Sequence, residues 1–237
     1  MGDADVRSID GSRWQDTLRA FVFSHLPDRP ARILEVGCGK AGELALSLDA
    51  AGHEVVAVDP DAPEGAIFRR TVIEHLSEPE PFDVAVASRS LHHIADLDAA
   101  LDKVVALLSP GGQVLVVEWG WDLVDDETIQ WAFARMPPVE GEPVGWLQKA
   151  RTRWKEARSE EPELTFVGFL EAFALDEGFH DSRSMVAALE QRFQTASLEW
   201  GPYFFPYLVG TTEDDEMAAI ARGELRATSF SYVGTCP

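Results

Sequence analysis

Ile33-Leu34-Glu35-Val36-Gly37-Cys38-Gly39-Lys40-Ala41-Gly42-Glu43 decides how the rest of the chain is read. Arg32 to Val36 is rich in branched residues and reads as a buried strand. The chain then turns tightly through Gly37 and Gly39, and a helix opens after Gly42. Leu44, Ala45, Leu48 and Ala51 recur at helical spacing until Gly52 stops them. Glycine is needed where the backbone takes positive φ or where a ligand touches the main chain. This G-x-G-x-x-G pattern alone is a weak signal, because dinucleotide sites share it. A second feature strengthens it. Val55-Val56-Ala57-Val58 forms the next strand and ends at Asp59-Pro60. A carboxylate there accepts both hydroxyls of a ribose. Together the two features place a ribose-bearing cofactor across the carboxyl ends of the first two strands.

Further along, short β-type runs alternate with helical patterns. Ala66 to Val72 is a weaker third strand, and Phe82 to Ala87 a strong fourth. Asp96 has the character of an N-cap for a helix that carries Leu97, Leu101, Val104, Val105 and Leu108 on one face. Ser109-Pro110-Gly111-Gly112 ends that helix, and Gln113 to Glu118 is the fifth strand. Such alternation builds a parallel α/β sheet covered on both faces. The rhythm breaks from about residue 122 to 163. There Trp131, Trp146 and Trp154 sit among charges, and Pro137-Pro138 and Gly141-Glu142-Pro143 interrupt helical pieces. Amphipathic helices resume over Leu164 to Leu175 and Ser184 to Phe193. Two late strands, Ala196 to Trp200 running into Tyr203-Phe204-Phe205 and Ala227 to Gly234, support an antiparallel closing pair. Trp14, Leu18, Phe21 and Val22 mark an N-terminal amphipathic helix.

Composition narrows the class. The 237 residues are 46% apolar and 26% charged, an ordinary globular balance with enough chain for a sizeable core. At ~150 residues per domain, the length fits one large domain or one domain with an insertion. The 41 acidic residues against 20 basic ones give a net charge of -21. A surface this negative repels phosphate backbones, so neither nucleic acid nor an anionic membrane is an expected partner. No apolar run approaches the ~20 residues of a membrane span; the longest, Val114 to Val117, is broken by Glu118. The acidic, polar start is not a secretory signal, and two cysteines make no disulfide framework. Cytoplasmic localisation follows as the expectation. No Cys/His cluster has zinc spacing, so no metal is expected.

The ordered set Glu35-Val36-Gly37-Cys38-Gly39, Val58-Asp59, Phe82-Asp83-Val84, Leu91-His92-His93-Ile94 and Leu108-Ser109-Pro110-Gly111-Gly112 resembles the class I S-adenosylmethionine-dependent methyltransferase family, in its small-molecule type. The likeness runs over about residues 31 to 118. It implies a Rossmann-like, seven-stranded, mostly parallel sheet with an antiparallel closing strand and helices on both faces. It implies S-adenosylmethionine as cofactor, S-adenosylhomocysteine as product, and a small-molecule methyl acceptor. In this family the Gly37–Gly39 loop, with Cys38, packs on the methionine half of the cofactor and Glu35 sits below its ammonium. Asp59, followed by Pro60, takes the ribose, and the main chain at Ser88 and Arg89 borders the methionine. One position departs from the pattern. The acidic residue expected after the third strand is replaced by Val72, so adenine is assigned to the Ile73 backbone and apolar contact, with Glu74 nearby.

Methyl transfer from a sulfonium needs in-line alignment, exclusion of water and a deprotonated nucleophile. His92 and His93, just beyond the fourth strand, are the candidate bases if the acceptor is a hydroxyl. His93 equally reads as a packing or hydrogen-bonding residue. Cys38 reads as packing within its turn, and Lys40 as a solvated helix-start residue. The whole of 1–237 reads as one methyltransferase domain, monomeric or homodimeric, with 122–163 as a helical substrate lid inserted in it. Trp119, Trp121, Trp131, Trp146 and Trp154 either wall an acceptor pocket or fill a small helical core of their own. Two alternatives stand beside the enzyme. One is a non-catalytic S-adenosylmethionine-binding fold that serves as an interaction module. The other is a nicotinamide-dependent oxidoreductase, which the lack of a Tyr-x-x-x-Lys pair disfavours.

Overall fold

The structure, a computed structural model, describes residues 12–138 and 145–237. In chain order the elements are α1 (Ser12–His25), β1 (Arg32–Val36), α2 (Glu43–Ala50), β2 (Glu54–Val58), β3 (Phe68–Arg69), β4 (Phe82–Ser88), α3 (Leu97–Leu107), β5 (Leu108–Trp119), α4 (Asp126–Arg135), α5 (Gly145–Glu160), α6 (Phe166–Asp176), α7 (Ser182–Glu190), β6 (Gln194–Gly201), α8 (Glu213–Ala221) and β7 (Ser229–Thr235). The N-terminal helix and seven strands appear in the order the sequence pattern gives, although β5 opens already at Leu108, a residue read on the face of the preceding helix.

The strands form one seven-stranded sheet in the order β3-β2-β1-β4-β5-β7-β6, and the first five pair in parallel. β7 runs against its neighbours. Its end meets the start of β5, where Gly111 N–H donates to Cys236 O and Cys236 N–H donates to Gly112 O. Its start meets the far end of β5, where Gly120 N–H donates to Thr228 O. This is the antiparallel closure expected from the sequence. Both residue parities of the inner strands are buried, which is the mark of a sheet covered on both faces. On one face Leu34, Val36, Val56, Val58, Val114 and Val116 join the apolar stripes of α3 and α7 in a single core. On the other, α2 lies against β2 and buries Leu44, Ala45 and Leu48. Each such fully buried side chain contributes roughly 1.5–3 kcal/mol of transfer free energy.

The third strand is shorter than the sequence pattern predicts. Only Phe68 and Arg69 pair, with Ala57 and Val58. Thr71 N–H turns back to Arg69 O, which takes the chain off the sheet edge before Val72. Tyr203 to Phe205 likewise leave β6. They are buried in a turn held by Glu216, whose carboxylate accepts the N–H groups of Tyr203, Phe204 and Phe205. Asp96 caps α3 as expected, accepting from Ala99 N–H at 2.9 Å.

The chain divides into two compact units. One holds the sheet: Thr17–Trp119, Phe179–Glu199 and Phe230–Pro237. The other gathers the stretch that ends at Asp16, Gly120–Gly178 and Trp200–Ser229. Aromatic rings fill this second unit. Trp146 lies 5.8 Å from Tyr203 and from Tyr207, and 6.2 Å from Phe204. Trp154 stacks on Phe133 and donates its indole N–H to Leu164 O. Gly141-Glu142-Pro143, one of the two breaks expected in this segment, lies outside the described residues.

Candidate functional site

The strand order reverses between β1 and β4, because β2 and β3 lie on one side of β1 while β4 and β5 lie on the other. Open α/β sheets bind ligands outside the carboxyl ends of the strands at such a switch point. Two loops meet there, Gly37–Gly42 after β1 and Ser88–His93 after β4. Ser90 Oγ donates to Val36 O at 2.8 Å. A Cβ on Gly37 would overlap the Ser90 side chain, and Gly37 has φ +80°. Glycine is therefore required twice over, for space and for conformation. Gly39, at φ +64°, has no heavy atom within 4 Å of where its Cβ would be. Its loop faces open space.

β2 supplies the next side of the site. The N–H groups of Gly37 and Cys38 both donate to Val58 O. Asp59 then fixes the loop through its carboxylate. Oδ2 accepts Gly39 N–H at 2.9 Å, and Oδ1 accepts Asp61 N–H at 2.7 Å. Pro60 is exposed beside it. The structure thus brings Glu35, Gly37, Cys38, Gly39 and Asp59 into one neighbourhood, as the sequence implies.

Glu35 forms the floor. Its residue is 5% exposed, and its carboxyl accepts the Ala45 N–H at the start of α2. Its Oε2 is buried with no hydrogen-bond partner. Burial, reinforced by the nearby Asp59 charge, pushes its pKa up to about 7 despite the Ala45 bond. Ser88 Oγ, at the end of β4, is also buried and unpartnered. Buried polar atoms without a protein partner, at the switch point of the sheet, mark where a polar or cationic ligand group would be held. Cys38 is no nucleophile. Burial, then the Glu35 and Asp59 charges, push its thiol up to about 12. Lys40 reaches Asp61 across 3.5 Å of exposed surface, as a solvated residue does.

Val72, Ile73 and Glu74 lie in a turn of their own after β3. Ile73 and Glu74 begin a 3-10 turn with Val72 at its N-cap. Ile73 is buried in the core with Val56 and Val58, while Val72 is 39% exposed. Among the described residues no hydrogen bond joins this turn to the glycine loop.

The turn after β4 holds both histidines. Arg89 takes a left-handed φ of 49°, unusual for a residue with a side chain. His92 is 4% exposed, and its Nδ1 lies 2.7 Å from Glu118 Oε2. His93 is an exposed residue, yet its ring abuts Phe179 at 4.5 Å and His92 at 4.1 Å. Partial desolvation, then the neighbouring His92, lower its pKa to about 4 against the opposing pull of Glu118. His93 is therefore neutral at pH 7 and a weak base.

Sequence reading missed Glu118, Ser90 and Phe179. Glu118 left a signal: a carboxylate interrupting an apolar strand one residue before it leaves the sheet. Phe179 left none, because its neighbours are set only by the return of the chain to the sheet.

A family model described as a methyltransferase domain matches residues 7–182. The chain belongs to the methyltransferase domain family. Among curated proteins, it is 35% identical over 98 residues to the ubiquinone biosynthesis O-methyltransferase of Bradyrhizobium sp. (strain ORS 278), covering 36% of this chain and 38% of that protein. The protein of the same name from Nitrobacter winogradskyi is 33% identical over 96 residues, covering 35% and 36%. The likeness thus spans under two-fifths of those relatives. Among solved structures, geranyl diphosphate C-methyltransferase from Streptomyces coelicolor A3(2) superposes with a TM-score of 0.55 at 13% identity, covering 100% of this chain and 86% of that one. The N-methyltransferase NodS from Bradyrhizobium japonicum WM9, bound to S-adenosyl-L-homocysteine, gives 0.50 at 14% identity, covering 97% and 88%. Both share the fold of this methyltransferase-family chain.

Proposed function

We propose that this protein transfers a methyl group from S-adenosylmethionine to a small-molecule acceptor with an oxygen or nitrogen nucleophile, by in-line displacement. The observation that carries the reading is the orphaned Glu35 Oε2 beneath a glycine loop that Asp59 braces. A buried carboxyl oxygen without a partner fits an ammonium group, whose charge favours its ionised form, and a strand-terminal carboxylate fits ribose hydroxyls. When bound, S-adenosylmethionine supplies a methyl group on an already activated sulfonium. The chain's own residues then hold the cofactor and take the proton. Glu35 holds the ammonium and Asp59 the ribose of the cofactor, and Gly37 and Gly39 let it lie against main chain. Ser88 and Arg89 border its methionine part, and Val72, Ile73 and Glu74 supply its adenine contacts. His92 is the stronger candidate for taking a proton from the acceptor, since His93 is so weak a base.

The relatives named for O-methylation support an oxygen acceptor. The charge of -21 supports a small molecule over nucleic acid. Among the described residues no helix is long and apolar enough to cross a membrane. We keep the cytoplasm as the proposed compartment and a monomer or homodimer as the proposed state. The reading also assigns residues 122–163 a lid function, which predicts that amide exchange there slows when cofactor product and acceptor are both bound. Exchange indifferent to ligands would reduce the segment to packing.

Calorimetric titration with S-adenosylmethionine, S-adenosylhomocysteine and NAD tests the whole reading. Both sulfur nucleosides are expected to bind and NAD is not. NAD binding without S-adenosylmethionine binding overturns it in favour of an oxidoreductase. Cofactor binding without transfer to any of a panel of phenols and amines favours the interaction module.

A further inference from the structure

Glu118 is completely buried, and among the described residues its side-chain hydrogen bonds beyond its own strand go to the turn after β4. Oε1 accepts the N–H groups of Ser90 and of Leu91, both at 2.6 Å. Oε2 accepts the Trp119 N–H at 3.1 Å and lies 2.7 Å from His92 Nδ1. A carboxylate so deeply buried persists only when its oxygens are satisfied. Three of the four partners are backbone amides, which can only donate. An ionised carboxylate can only accept, so the fourth partner must present a proton as well. His92 then presents a hydrogen on Nδ1, and when the ring is neutral its lone pair is on Nε2.

Three of these bonds, to Ser90, Leu91 and His92, brace a strained segment. Arg89, one residue before Ser90, sits at φ 49°, a left-handed conformation that an L-residue with a side chain rarely adopts. Its N–H is tied to Val117 O at 2.9 Å, and the next two amides are tied to Glu118. On the far side of His92 its own carbonyl accepts His180 N–H, and its ring is boxed by His93, Trp119 and Phe179. His93 has a different setting, beside the rings of His92 and Phe179, and among the described residues no carboxylate lies at hydrogen-bond distance from it.

We infer that Glu118 is a positioning residue for the methyl transfer: it locks the Arg89–His92 turn and fixes His92 as the Nδ1–H tautomer, so that Nε2 is the nitrogen able to take the acceptor's proton. The chemistry rests on the function proposed above; the tautomer does not. In the step, the acceptor oxygen forms its bond to the methyl carbon while the carbon–sulfur bond breaks. The electron pair of that bond stays on sulfur, and the acceptor's O–H proton passes to His92 Nε2. The resulting imidazolium faces Glu118 across 2.7 Å, where a carboxylate stabilises it.

The test is nitrogen-15 NMR of the imidazole rings in the full-length protein. Wild type is compared with Glu118→Gln and Glu118→Asp, and S-adenosylhomocysteine affinity is measured on each. Wild type should show His92 as an Nδ1–H tautomer, with slow exchange at the Ser90 and Leu91 amides. In Glu118→Gln the side-chain oxygen is drawn to those two amides and its NH2 faces His92. The ring should therefore switch to Nε2–H, and Glu118→Asp should restore Nδ1–H. A wild-type His92 protonated on Nε2 overturns the inference even if neither variant folds, as does a tautomer unchanged in Glu118→Gln. Wild type that fails to bind S-adenosylhomocysteine strikes instead at the proposed function, and leaves the tautomer result standing.

Discussion

Asp59 reaches back to the glycine loop and accepts the Gly39 N–H on Oδ2 at 2.9 Å, from a position twenty residues further along the chain. One side chain thereby shapes the loop after β1 and stands at the end of β2, where a ribose would be held. Charge-assisted hydrogen bonds contribute about 1.5–3 kcal/mol each. Asp59→Ala should weaken S-adenosylhomocysteine binding at least ~10-fold by calorimetry, while far-ultraviolet circular dichroism stays that of wild type. An unchanged dissociation constant removes the ribose from this position.

Gly37 and Ser90 make a second pair that joins two loops. Gly37→Ala adds a Cβ into the Ser90 side chain at φ +80°. Overpacking and a left-handed φ each cost of order 1–3 kcal/mol, so denaturant unfolding should show a loss of at least ~2 kcal/mol, with cofactor affinity falling too. Ser90→Gly in the same chain removes the clash but not the φ penalty, and should recover part of the loss. If the double variant is as unstable as the sum of the singles, the two residues are not in contact.

Glu35 and His93 give the stability–pH profile two opposed contributions. The Glu35 carboxyl holds its proton up to about 7 in the folded chain against an ordinary value of 4.5. Ionising it opposes folding, so its contribution falls as pH rises from about 4.5 to about 7, by on the order of 3 kcal/mol. His93 is lowered from 6.5 to about 4, so its contribution is complete above 6.5 and is lost as pH falls through about 4. The windows overlap and partly cancel. Glu35→Gln should unmask the difference, raising stability over wild type at pH 8 and leaving it nearly equal at pH 4.5. Urea midpoints at the two pH values decide it, and an equal offset at both would show that Glu35 is not titrating in this range.

Trp146 packs on Tyr203, Phe204 and Tyr207 within the helical unit. Removing a buried tryptophan costs about 3–5 kcal/mol, and a half-buried one less. Trp146→Ala should therefore lower unfolding stability by roughly 2 kcal/mol and change S-adenosylhomocysteine affinity by less than about two-fold. Unfolding like wild type with collapsed turnover would mean that this ring serves the acceptor and not the core.

What the sequence by itself determined is local. Branched runs gave β1, β2, β4 and β5, helical spacing gave α2 and α3, and glycines at Gly37 and Gly39 twenty residues before Asp59 marked the cofactor side. Periodicity and turn chemistry act over a few residues, so a single chain displays them. The tertiary structure decided the rest, because the rest depends on register between distant strands. β4 and β5 pair with Ser88 opposite Val117, so the next residue, Glu118, falls alongside the turn that carries Ser90, Leu91 and His92. No spacing rule links positions 26 to 28 residues apart through that pairing. Likewise the third strand ends at Arg69 because the chain bonds back on itself at Thr71, and residues 200–229 join the helical unit through packing that no local pattern encodes.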